Sequence, residues 1–116
     1  ESWTREDLLT LGPALENHSL FPKRTNVQLA VPTGPKDIFI LIWERGAGET
    51  QASGSSSCAA ASAAVRLGLV KGPVTVKMPG GTLNIEVAQD FSLTMKGPVA
   101  EVARGALSPS FVRGLK

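Results

Sequence analysis

The feature that most constrains the fold is the segment from Ser53 to Leu67, in which alanine and serine are the commonest residues. Alanine has the highest helix propensity, the serines at 53–57 offer several N-caps, and Gly68 is a suitable C-terminal stop. Because most side chains are small and only Arg66 is charged, this helix is predicted to be buried on all sides. Strands could approach its backbone closely, so a sheet wrapped around one helix is expected.

Two strand patterns precede this helix. Thr25 to Val31 alternates apolar with polar or small residues, as a strand with one buried face does. Asp37 to Arg45 is an almost continuous apolar run rich in β-branched and aromatic residues, which favours a central strand covered on both sides. Pro32 to Lys36 is predicted to be a turn, and Gly46 to Gln51 a loop.

The segment after the helix predicts a hairpin and two further strands. Val74 to Met78 and Thr82 to Val87 alternate and are joined by Pro79-Gly80-Gly81, which favours a tight turn. Phe91 to Met95 and Val99 to Val102 are predicted to be short strands. The final SPSFVRGLK is polar and contains proline, so a frayed tail is expected there rather than a strand.

The N-terminal segment predicts a second helix. Thr4 is a suitable N-cap with Asp7 three residues on, and leucines recur at helical spacing until Asn17. Gly12-Pro13 interrupts the pattern, and because proline removes a backbone donor, a kink or two short helices are the alternatives.

Composition and charge exclude several classes. The formal net charge is only +2, the charges are spread along the chain, and aromatic residues make up 5% without any tyrosine, which disfavours a nucleic-acid-binding protein. No apolar run approaches the roughly 20 residues of a membrane span. A lone cysteine, Cys58, cannot form an internal disulfide, and with one histidine it cannot make a zinc site. With no visible signal peptide, a cytoplasmic location is predicted.

The segment from Glu44 to Ser55 carries the chemistry, since it leads from a buried strand into the start of a helix. Free N–H groups and the positive dipole end at a helix N-terminus favour an anion such as a carboxylate. Glu44 could meet an ammonium group, and Arg45 could hold a second acid group. This combination of charges suits an amino acid as the ligand.

This stretch resembles the diaminopimelate epimerase family, which carries ERGAGET followed by ACGTGACAA where this chain reads ERGAGETQASGSSSCAAA at the same spacing. The similarity extends over LGPALENHSLFPKRTNV and VTVKMPGGTLNIEV, so it covers nearly the whole chain. It implies a diaminopimelate-epimerase-like α+β fold, with a mostly antiparallel sheet wrapped around one buried alanine-rich helix. Residues 1–116 would then be a single domain equivalent to the family's C-terminal half.

The resemblance also implies an amino-acid epimerase or racemase that needs no cofactor and no metal, and that converts LL- to meso-diaminopimelate in lysine biosynthesis. In this family two cysteines, one from each half, act on opposite sides of the α-carbon. The residues implied are Asn26, Glu44 and Arg45 for substrate contact, Gly54 and Ser55 for the substrate carboxylate, and Ser53 at the position of the catalytic cysteine. Cys58 matches a second, non-catalytic cysteine.

Two departures from the family pattern bear on activity. A thiol has a pKa of about 8.5, lower at a helix N-terminus, whereas the alcohol of Ser53 stays protonated at neutral pH and needs a neighbouring base. The similarity also begins after the family's first half, so we expect a fragment, a short relative, or a subunit whose cleft is completed by another copy or an N-terminal half. Open strand edges invite pairing, and we therefore predict that the chain is not a monomer.

Each site residue also has an interpretation without catalysis. Ser53 would serve equally as a helix N-cap, and Cys58 as a small core residue. Asn26 is a common turn residue, and the Glu44-Arg45 pair could be a solvated strand end. His18, in a connector, is most simply a surface or turn residue.

Three functional hypotheses follow. The first is an isomerase of the diaminopimelate epimerase type, complete as an assembly, with Ser53 facing the α-carbon. The second is a non-catalytic amino-acid-binding or assembly module that keeps the carboxylate site. A purely structural role is the third, and no sequence feature favours it.

Overall fold

The computed structural model describes residues 2–115, which form an α+β fold with a mostly antiparallel sheet. In chain order the elements are α1 (Arg5–Glu16), β1 (Val27–Gly34), β2 (Asp37–Glu44), β3 (Gly48–Thr50), α2 (Gly54–Arg66), β4 (Val74–Met78), β5 (Gly81–Val87), β6 (Leu93–Lys96) and α3 (Pro109–Arg113). The predicted α+β class is confirmed.

The strands form one sheet in the order β1-β2-β4-β5-β6, and β3 pairs with the end of β2. All pairs are antiparallel except β2 and β4, which run parallel with residues 37–39 opposite residues 75–77. A parallel pair needs a crossover, and α2 provides it. The helix packs against β1, β2, β4, β5 and β6, so most of the sheet contacts it.

The central strand β2 is covered on both faces, as its apolar sequence predicts. Ile38, Ile40 and Ile42 point to the main core between the sheet and α2. On the opposite face Leu41 and Trp43 join a smaller core beneath α1, which also contains Leu8, Leu11, Val27 and Leu29. Because side chains alternate along a strand, β2 supplies both cores at once.

Helix α1 runs unbroken through Pro13, so the alternative of two short helices is wrong. Its start is fixed by a capping box, in which the Thr4 side chain accepts from the Asp7 N–H and the Asp7 carboxylate accepts from the Thr4 N–H. Gly12 lies directly over Trp43: a Cβ at this position would be 2.6 Å from the indole ring. The glycine therefore lets α1 pack closely against β2.

Helix α2 is buried on one side only, which corrects the prediction that it is buried all round. Ser56, Ser57, Ala60, Ala61 and Ala64 are buried, whereas the opposite face is exposed. The exposed positions are Ser55, Ala59, Ala63 and Arg66, followed by Leu67 at the C-cap. The small side chains do permit close packing, but within residues 2–115 no strand lies over this face.

The ends of several elements differ from the predictions. Val99–Val102 is not a strand, because the sheet ends at β6 and no neighbouring strand is present in the described part of the chain; Val99 and Val102 are almost fully exposed. The tail, predicted to be frayed, contains α3, whose start combines an N-cap at Ser108 with a proline at its first position. The short strand β3 lies within the predicted loop Gly46 to Gln51.

Candidate functional site

Ser53 is the N-cap of α2. Its backbone is extended, and its hydroxyl accepts a hydrogen bond from the Ser56 N–H at 3.3 Å and lies 3.3 Å from the Ser55 hydroxyl. Its carbonyl oxygen accepts from the Ser57 N–H and hydroxyl, at 3.1 and 2.8 Å. The interpretation of Ser53 as a helix cap is therefore confirmed.

Two buried serines fasten the first turn of α2 to the sheet. Gln28 of β1 donates its side-chain amide to the Ser56 hydroxyl at 3.0 Å, and the Ser57 hydroxyl lies 3.2 Å from the sulfur of Met78 on β4. From the sequence alone these serines are predicted only as alternative caps. Their spacing of four residues from Ala60 and Ala61 puts them on the buried face of the helix, whereas Ser55 and Ala59, at the same spacing, are exposed, so the sequence alone carries no signal that separates these serines.

A pocket of about 250 Å³ opens beside Ser53 and Gly54. The turn between β4 and β5 forms part of its wall, and there the Gly80 N–H donates to the carbonyl oxygen of Gln51 at 2.7 Å. A Cβ at Gly80 would lie 2.8 Å from that same oxygen. Only glycine therefore allows this hairpin to pack against the segment that enters α2.

Two of the first N–H groups of α2 lack an acceptor among residues 2–115. Ser56 donates to Ser53, but the N–H groups of Gly54 and Ser55 have no hydrogen-bond partner within residues 2–115. Unpaired N–H groups at a helix start, with the positive end of the helix dipole, attract an anion.

The turn that follows β2 holds a second group of predicted site residues. The Arg45 N–H donates to the Asn26 side-chain oxygen at 2.7 Å, and the Arg45 guanidinium donates to the carbonyl oxygen of Lys23 at 3.3 Å. The half-buried Glu44 carboxylate has no hydrogen bond or ion pair with any described residue. Asn26 and Arg45 are thus brought together, and Glu44 keeps its charge available.

Glu16, for which the sequence predicts no role, lies beneath this turn and is 6% exposed. Its carboxylate accepts from the Trp43 indole N–H at 2.7 Å, from the Gly46 N–H at 2.9 Å and from the Arg24 guanidinium at 3.1 Å. The Trp43 and Gly46 hydrogen bonds, and then the Arg24 charge, hold the pKa of the Glu16 carboxyl below its ordinary value against the opposing effect of burial.

The two groups of site residues are connected through the backbone. Strand β3 leaves the turn at Gly48, pairs with residues 42–44 of β2, and ends at Thr50, three residues before Ser53. No hydrogen bond or ion pair joins Glu44 or Arg45 to the start of α2 in the described part of the chain. The hydroxyl of Thr50 is buried and has no partner there.

The remaining reactive side chains have simpler positions. Cys58 is half-buried and packs against the main core, and the His18 Nδ1 accepts from the Leu20 N–H within an exposed turn. Within residues 2–115, no group of His, Cys, Asp and Glu is placed to hold a metal ion. No helix in the same range is both long and apolar enough to cross a membrane.

Comparison with known proteins relates this chain to one protein family. A family model described as diaminopimelate epimerase matches residues 1–102. The diaminopimelate epimerase of Desulfitobacterium hafniense is 43% identical over 107 residues, covering 92% of this chain and 38% of that protein. The enzyme of Rhodospirillum centenum is 47% identical, covering 93% of this chain and 37% of its own length, and diaminopimelate epimerase 2 of a Nostoc species is 50% identical, covering 84% and 34%. The chain thus spans between a third and two fifths of the length of these relatives.

Proposed function

The chain belongs to the diaminopimelate epimerase family, and we propose that it forms one side of an amino-acid epimerase site of that type. The observation that carries the proposal is the start of α2: Ser53 and Gly54 line a pocket, and the N–H groups of Gly54 and Ser55 are unpaired among the described residues. The proposed substrate is diaminopimelate, converted from its LL to its meso form in lysine biosynthesis in the cytoplasm.

The substrate's α-carboxylate binds at the N–H groups of Gly54 and Ser55. These two donors and the helix dipole favour a negative charge. As negative charge develops at the α-carbon and spreads onto the carboxylate, the same donors stabilise it.

The charged turn binds the rest of the substrate. Glu44 has no partner within residues 2–115 and is free to receive an ammonium group. Arg45 holds a second carboxylate, as its planar guanidinium can do with two donors. Asn26 uses its side-chain oxygen to fix the backbone of Arg45, which leaves its side-chain N–H groups to donate to the substrate.

Epimerisation requires a base that removes the α-proton on one face and an acid that supplies a proton on the other. The Ser53 hydroxyl accepts a hydrogen bond from the Ser56 N–H, and its own proton can be directed to the α-carbon when the Ser55 hydroxyl, 3.3 Å away, is the donor between the two serines. Proton donation leaves an alkoxide, which the Ser56 N–H and the helix dipole favour. The base on the opposite face must then come from another copy of the chain, or from segments like those that relatives carry outside the matched region.

The alternative is a binding module that holds the amino acid without moving a proton. One observation favours it: the Ser53 hydroxyl caps α2, and no basic side chain of residues 2–115 is hydrogen-bonded to it. A serine needs such a base far more than a thiol does.

Solvent exchange separates the two functions. We would incubate diaminopimelate with the protein in D₂O and follow its α-proton by NMR, for the unmodified chain, for Ser53→Cys, and for Cys58→Ser as a control that changes a thiol elsewhere on α2. Exchange in the unmodified chain, or in Ser53→Cys alone, supports the epimerase site, and the control should match the unmodified chain. Binding without exchange in any of them supports the binding module. If none of the three proteins binds diaminopimelate or exchanges its α-proton, the proposal is overturned.

A further inference from the structure

The position of Glu16 is electrostatically costly and needs an explanation. It is the last residue of α1, where the negative end of the helix dipole disfavours an anion, and its carboxylate is almost fully removed from water. A buried charge is retained only where its partners compensate for the loss of hydration. Here the partners are three donors, and they come from both segments that carry the substrate-binding residues.

On one side the carboxylate holds the turn after β2. It accepts from the N–H of Gly46, the residue directly after Arg45, and from the indole of Trp43, the residue directly before Glu44. The Glu44-Arg45 pair is therefore held between two hydrogen bonds to a single carboxylate.

On the other side the carboxylate holds the segment that leads into β1. The Arg24 guanidinium pairs with it, and Arg24 has a positive φ of 61°, which is unfavourable for a residue with a side chain and fixes the chain direction just before Asn26. Arg45 then bridges the two segments, through its N–H to Asn26 and its guanidinium to the Lys23 carbonyl oxygen.

Glu16 does not itself have access to a substrate. Both of its oxygens are occupied by donors from the chain, and 6% of the residue is exposed. Any influence on binding must pass through the residues that it holds.

We propose that Glu16 is a positioning residue, whose carboxylate fastens the Glu44-Arg45 turn to the Arg24-Asn26 segment and so sets the geometry that receives the charged groups of the substrate. The effect of Glu16 on substrate binding rests on the proposed function, whereas its hydrogen bonds to the turn do not. Neither the motif of the epimerase family quoted above nor the charge pattern assigns it this role.

The test compares Glu16→Gln with Glu49→Gln. A glutamine has the same shape, but one of its two oxygens becomes an NH₂ donor, so it cannot accept from Trp43 on one side and from Gly46 on the other. Glu49 is a matched control, because it lies on β3 beside the same turn and loses a bidentate pair with Arg5 instead.

Amide hydrogen exchange measures the hold on the turn. In Glu16→Gln the protection of the Gly46 and Arg45 amides should fall by about tenfold or more, while the amides of β4 and β5 keep theirs. Glu49→Gln should leave the Gly46 and Arg45 amides unchanged. Unchanged protection in Glu16→Gln would overturn the proposal. If that variant does not fold, Arg24→Gln, which removes only the exposed donor, should lower the same two protections.

Enzyme kinetics measure the effect on the site. If the chain does not catalyse α-proton exchange, equilibrium binding of diaminopimelate replaces them. A misplaced turn weakens binding, so Glu16→Gln should raise the KM or Kd for diaminopimelate by about fivefold or more with kcat within about twofold. A lower kcat at unchanged KM would mean only a smaller folded fraction and would contradict positioning. If the unmodified chain does not bind diaminopimelate at all, the proposed function fails, and amide exchange alone decides whether Glu16 holds the turn.

Discussion

At the scale of single residues, Glu16 predicts how stability depends on pH. Its carboxyl pKa is lowered in the folded chain, so it adds stability above the unfolded value of about 4.3, and this contribution is lost as the pH falls through the lowered folded value. In urea unfolding, Glu16→Gln should be less stable than the unmodified chain at pH 7, and the difference should shrink towards pH 3. A difference that is the same at both values would contradict the ionised carboxylate. The lowered pKa values of Asp7 and Asp90 act in both proteins and so cancel in the comparison.

Gly80 gives a second prediction at this scale. A methyl group there would meet the Gln51 carbonyl oxygen at 2.8 Å, so Gly80→Ala should cost about 1–3 kcal/mol of unfolding free energy and weaken binding at the start of α2. Gly105→Ala is the control, because nothing lies within 4 Å of its Cβ position, and it should stay within about 0.5 kcal/mol. The midpoints of urea unfolding test this prediction. Equal midpoints for the two variants would contradict it, because they would show that the close contact at Gly80 can relax.

The residue scale also shows where sequence reasoning succeeds and fails. Ser53 was recognisable as a cap because serine is a favoured N-cap residue and a run of strong helix formers follows it. Glu16 was not, because charged residues are read as solvent-exposed, and the donors that compensate its burial come from residues 24, 43 and 46, which only the fold brings together.

At the scale of elements, replacing the N-cap residue by alanine should have different effects on global stability in α1 and in α3. Thr4 caps a helix that packs on the sheet, so Thr4→Ala should lower the global stability by about 1 kcal/mol. Ser108 caps α3, which packs against no other element of residues 2–115, so Ser108→Ala should leave the global transition unchanged. Thermal unfolding followed by circular dichroism tests both predictions. A lower Tm for Ser108→Ala would show that α3 contributes to the global stability and would contradict the second prediction.

Most elements were predictable because their patterns are local. The apolar run of β2 and the glycine turn between β4 and β5 specify their own structure, and both were confirmed. Strand β3 has only three residues and exists because β2 offers a free edge, a property of the sheet that its own sequence does not carry. The exposed face of α2 was missed for a related reason: small side chains permit burial but do not supply the covering layer.

At the scale of the whole molecule, the uncovered face of α2 makes self-association an expected property. Ala59, Ala63, Leu67 and Leu69 border an open groove of about 320 Å³ beside β1, and β1 has a free edge among the described residues. Sedimentation equilibrium at micromolar concentration should therefore show a species larger than a monomer, and Leu67→Glu should shift it towards the monomer. A purely monomeric unmodified chain would contradict the prediction.

The parallel pairing of β2 and β4 affects the rate of folding. The hairpins β1-β2 and β4-β5 join neighbouring stretches of chain and can form early, on the microsecond scale typical of hairpins. The parallel ladder must bring residue 37 to residue 75 across the whole of α2, and closing so long a loop costs entropy before any contact compensates for it. We therefore expect the slow step of folding to be the joining of the two hairpins at β2 and β4. Core substitutions at Ile38 or Val76, which pair across this parallel ladder, should slow folding more than equally costly substitutions at hairpin positions outside it.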